Sequence, residues 1–64
     1  MSIDLMDYLA NKLQEEIKLI QEELAMGKAK DHGEYKQSCG VVRGLITAQN
    51  IIVETKERME KADE

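Results

Sequence analysis

The residues of this 64-residue chain that could do chemistry gather in one stretch, Lys36 to Ala48. Gly40, Gly44 and Ala48 recur every four residues, with Lys36, Arg43 and Thr47 set among them. On a helix, residues four apart stack on one face, so the small residues leave a strip of bare backbone. A glycine inside a helix costs roughly 1 kcal/mol relative to alanine, and two on one face call for a compensating gain. Close approach of another helix is the first explanation. In water, the same spacing does not imply a membrane. The second explanation is a ligand or partner lying against the backbone. Lys36 and Arg43 flank Gly40 on one side of the helical wheel, with Thr47 one turn on. A glycine floor with a cationic rim suits a carboxylate or a phosphate. The expected contact surface is therefore Lys36, Gly40, Arg43, Gly44 and Thr47. Tyr35 adjoins it in sequence but projects to the apolar side, where a core position is expected.

Other chemistry finds little support. There is no Gly-rich phosphate loop, no Ser-His-Asp set and no metal-ligand cluster. Glu15-Glu16 and Glu22-Glu23 are adjacent acids on an exposed helix face, which reads as solvated charge. His32 falls in the first turn of a helix, beside its cap. Cys39 lies on an apolar strip and reads as a small core residue, not a nucleophile. The expectation is a non-enzyme with no cofactor and no metal. The lone cysteine cannot close an internal disulfide and fits a reducing cytoplasm.

Two helices must position these residues. Ser2 is a reasonable N-cap, with Asp4 and Asp7 where the helix dipole favours acids. Ile3, Met6, Ala10, Leu13, Ile17, Ile20 and Leu24 then follow with gaps of three and four, a heptad seam. Gly27 suits the left-handed residue after a helix. Helix 1 is predicted at about 3–26 and the turn at 27–31. Asp31 and Glu34 have capping-box spacing: the Asp31 side chain accepts from the Glu34 N–H, and Glu34 reaches back to the Asp31 N–H. Helix 2 is predicted at about 32–61. A connection this short makes the helices antiparallel.

On helix 2, Tyr35, Cys39, Val42, Ile46 and Val53 form one apolar strip, and Val41, Leu45, Ile52 and Met59 a second beside it. Helix 1 has a side strip too, Tyr8, Leu19 and Met26. A two-helix seam needs a stripe of only about 100°. A lone hairpin would leave the second strips wet, and packing hairpins together covers them. The fold class is thus all-α: one domain, 1–64, an antiparallel two-helix hairpin associating with itself into a helical bundle, a dimer or larger. Self-association also answers the size problem, because a core this small supplies only roughly 3–5 kcal/mol.

The net charge of −4 weighs against broad nucleic-acid binding. Residues 27–44 form a mildly basic island between two acidic arms. The start is acidic where a signal peptide would be basic, and the run Ile51-Ile52-Val53 falls far short of the ~20 residues needed to span a bilayer.

The segment Gly27-Lys28-Ala29-Lys30-Asp31-His32-Gly33-Glu34-Tyr35-Lys36, followed by Cys39-Gly40-Val41-Val42-Arg43-Gly44-Leu45 and Ala48, resembles a family of very small helical proteins encoded by tailed bacteriophages. The shared pattern is Ala-Lys-Asp, Glu-Tyr-Lys and Gly-x-x-x-Gly-Leu. Gly33 departs from it, standing where similar proteins often have a better helix former. The resemblance implies a phage accessory protein without a defined activity. In layout alone the chain is also similar to the plasmid copy-number protein Rop, an RNA-binding hairpin.

Together these readings predict an oligomeric binding protein in the host cytoplasm that occupies a protein partner, as a virion assembly component or as an inhibitor of a host enzyme. The alternative is an anti-defence sponge that sequesters a cyclic nucleotide signal, a small anionic ligand, between subunits. A Rop-like RNA-binding role ranks last, since the aromatics needed for base stacking are missing.

Overall fold

The computed structural model describes residues 3–62, so the expected Ser2 cap lies outside the described residues. It contains two helices, α1 (Ile3–Ala25) and α2 (His32–Ala62), packed on each other in a body of 50 × 15 × 14 Å. Gln49 meets Ala10 and Gln14, and Lys56 meets Asp7, so the late part of α2 lies beside the early part of α1. The pair is antiparallel, as the short connection requires. Neither helix is long and apolar enough to cross a membrane.

The end of α1 is a Schellman motif. The Gly27 N–H donates to the Leu24 carbonyl and the Lys28 N–H to the Glu23 carbonyl, both at 3.1 Å. Gly27 takes φ +73°, the left-handed value that glycine adopts without penalty. The α2 start keeps half of the expected capping box. The Glu34 N–H donates to Asp31 Oδ1 at 2.8 Å. The return contact differs: Glu34 Oε2 accepts from the Lys30 N–H at 2.6 Å, one residue before the expected Asp31 N–H. The Glu34 side chain thus ties the turn to the helix and not the cap to itself. Replacing Asp31 with alanine is expected to lower stability by about 1 kcal/mol, read as a fall in the melting midpoint; an unchanged melt would mean that the cap contributes nothing.

The α1 seam is the predicted one. Met6 and Ile17 are buried, and Ile3, Ala10, Leu13, Ile20 and Leu24 are half-buried along the same stripe. On α2 the expectation is corrected. The line that faces α1 takes Val42 from the first strip and Leu45, Ile52 and Met59 from the second, with Ser38, Gln49 and Lys56 beside them. Tyr35, Ile46 and Val53 of the first strip are exposed, and so is Val41. The polar members of the seam explain how α2 tolerates this choice. Gln49 Nε2 donates to the Ala10 carbonyl at 3.2 Å and to Gln14 Oε1 at 3.0 Å, and Lys56 Nζ reaches Asp7 at 2.7 Å. These bonds hold the register, as a polar residue in a coiled-coil seam does. The hydrogen bond to Asp7 raises the Lys56 pKa above the usual lysine value; desolvation opposes it, and the charges of Asp7 and Glu60 add to it.

Candidate functional site

The contact surface expected from the sequence lies on one side of the first half of α2. At 100° per residue, Lys36, Gly40, Arg43 and Thr47 share a face and Gly44 borders it. All five are exposed. Lys36 and Arg43 are seven residues apart, two helical turns or roughly 10 Å along the axis. Neither forms an ion pair with a described residue, whereas Lys12 and Lys56 do. Two cations thus stand uncompensated beside bare backbone.

The glycines do not serve contact with α1. A Cβ added at Gly40 or at Gly44 would meet no heavy atom within 4 Å. Close approach of the neighbouring helix, the first explanation for the spacing, is thereby excluded within one chain: α1 packs on a different face of α2. The space above both glycines is open.

Thr47 and Tyr35 also differ from expectation. The Thr47 hydroxyl donates back to the Arg43 carbonyl at 2.9 Å, which occupies its proton and leaves its lone pairs. Tyr35 is not a core residue. It is 49% exposed, and its ring stacks on His32 at 6.4 Å between centroids with 17° between planes. Cys39, expected in the core, is half-buried and remains a free thiol.

A shallow cleft of about 250 Å³ opens elsewhere, at the turn end, between Ile20, Leu24, Lys28 and Gln37. Neither the five expected contact residues nor Tyr35 line it. Sequence reasoning missed it because it arises where the turn folds back over the seam, which no local spacing signals. The contact surface itself is a convex helix face. Such a face suits a macromolecular partner better than a small molecule, which needs a concave site. No family model, curated protein or solved structure matches the chain. Among the described residues, no group of three or more His, Cys, Asp or Glu is placed to hold a metal.

Proposed function

We propose that this chain is a phage-encoded, non-enzymatic binding protein that self-associates and acts in the host cytoplasm by occupying a protein partner. The reading is carried by the exposed pair Lys36 and Arg43, uncompensated beside the open backbone of Gly40 and Gly44. An acidic, close-fitting surface matches that combination: its carboxylates meet the cations, and its backbone or small side chains lie on the glycines. Support for self-association comes from the surface. The chain exposes 5044 Å², whereas a compact protein of 7.3 kDa exposes about 4,200 Å².

Replacing Lys36 and Arg43 together with glutamine is expected to leave helicity and oligomer size nearly unchanged, because exposed substitutions usually shift stability by less than about 0.5 kcal/mol. A host or virion protein retained by the wild-type chain should be lost from the variant, and its retention should weaken with salt. Equal retention by both chains would refute the assignment of this surface. Collapse of the variant to unfolded monomers would make the two cations structural. The second reading, a cyclic nucleotide held between subunits, draws on the same cations and open backbone. It predicts that cyclic di- or trinucleotides raise the melting midpoint of the wild-type chain and not of the variant.

A further inference from the structure

We propose that the exposed apolar strip of α2 is a second heptad seam and that a second copy of this chain packs on it antiparallel. The proposal rests on the self-association reading above and specifies its surface and geometry. Tyr35, Cys39, Val42, Ile46, Gln49 and Val53 follow one another with gaps of four and three, the spacing of a coiled-coil seam. Val42 and Gln49 belong to both seams of α2. Ile46 and Val53 are 39% and 41% exposed, so nothing in one chain covers them. The excess of surface over a compact protein of this mass, roughly 800 Å², is about what one partner contributes to an interface of standard size.

The flanks of the strip decide the orientation. On one side lie Ser38, Leu45 and Ile52, half-buried against α1. On the other lie Lys36, Arg43, Asn50 and Glu57, seven apart and all exposed. A parallel pair would bring the exposed flank of one copy against the covered flank of the other. An antiparallel pair presents like flank to like flank, so the exposed sides of the two copies meet on one edge and their α1-covered sides on the other, which sets the two α1 helices side by side in a four-helix arrangement.

Two antiparallel registers compete. One sets Lys36 against Glu57 of the partner subunit, but places Cys39 beside Lys56 of the partner subunit and Tyr35 beside Glu60 of the partner subunit. The other stacks Val42 on Ile46 of the partner subunit and Tyr35 on Val53 of the partner subunit, with Cys39 level with Gln49 of the partner subunit. Exposed ion pairs contribute little, whereas each apolar layer removes large side chains from water, so the second register is the stable one. It leaves Gly40, Gly44 and Thr47 outside the interface and puts the two Arg43 side chains near each other at its rim, so both copies of the partner surface line one edge of the dimer.

The test combines sedimentation with thiol cross-linking on the full chain. Wild type should sediment as more than one chain at micromolar concentration. Ile46→Asp should raise the dimer dissociation constant by at least about 100-fold, since the substitution acts once in each copy. Ile51→Asp, on another side of α2, should leave it within about threefold. In oxidised glutathione the wild-type chain should form no interchain disulfide, because its two Cys39 lie roughly 15 Å apart along the axis in this register. Gln49→Cys should then give a disulfide-linked dimer, each new thiol pairing with Cys39 of the partner subunit as glutathione is reduced. A wild-type chain that is monomeric throughout would overturn self-association as well as this geometry. An oligomer split by Ile51→Asp and not by Ile46→Asp would overturn only the choice of strip. A ready disulfide between the two wild-type Cys39 thiols would overturn the antiparallel orientation. The cross-link does not depend on Ile46→Asp folding, and circular dichroism of that variant separates dissociation from unfolding.

Discussion

Replacing Ile17 with alanine is expected to leave the chain largely unfolded. Ile17 is 3% exposed, the lowest value among the three buried side chains, and it sits within the α1 seam. Truncating a buried isoleucine to alanine costs about 2–5 kcal/mol, through lost transfer energy and the cavity left behind. A core of this size supplies roughly 3–5 kcal/mol in all. One substitution therefore removes most of what holds the hairpin. The measurement is helicity and its thermal melt by circular dichroism at low micromolar concentration, with Leu19→Ala as the control. Leu19 is 49% exposed, and its truncation should shift stability by less than about 0.5 kcal/mol. Melting of Ile17→Ala within a few degrees of wild type would show that the α1–α2 seam is not what stabilises the fold.

The second large effect has the opposite sign. Gly40→Ala and Gly44→Ala together should stabilise the hairpin by about 2 kcal/mol, roughly 1 at each site, because alanine loses less backbone freedom in a helix. In a domain of this size that corresponds to a rise of roughly 8–16 °C in melting midpoint. No atom of the chain stands within 4 Å of either added Cβ, so no clash opposes the gain. If the melt rises and partner retention is lost, the glycines are kept for contact and stability is given up for it. A fall in the melt would instead mean that another copy of the chain presses on this face, and the interface would have to move from the Ile46 strip to the glycine side.

Gly33 is a different case. An added Cβ there would stand 3.3 Å from Asp31 Oδ1, the oxygen that caps α2. A better helix former at that position gains propensity but crowds the cap.

Much of the architecture was legible from residue types and spacing alone. The three-and-four gaps from Ile3 to Leu24 marked the stripe that α1 buries, because a helix has one natural solution for such a pattern. Gly27 and the Asp31-to-Glu34 spacing marked the turn, because left-handed backbone and capping are local chemistry. The helix ends differ from the prediction by one residue each: α1 ends at Ala25 and α2 at Ala62. The exposed setting of Lys36, Gly40, Arg43 and Gly44 could likewise be read from the wheel. Tertiary structure decided which line across the two adjoining strips of α2 meets α1. Periodicity could not, since both strips repeat at helical spacing and differ only in which polar residues share their line. Packing chose the line along which Gln49 and Lys56 find Ala10, Gln14 and Asp7 across the seam. That choice put Tyr35, Ile46 and Val53 in water and turned Gly40 and Gly44 away from α1, because rotating a helix about its axis moves every face at once.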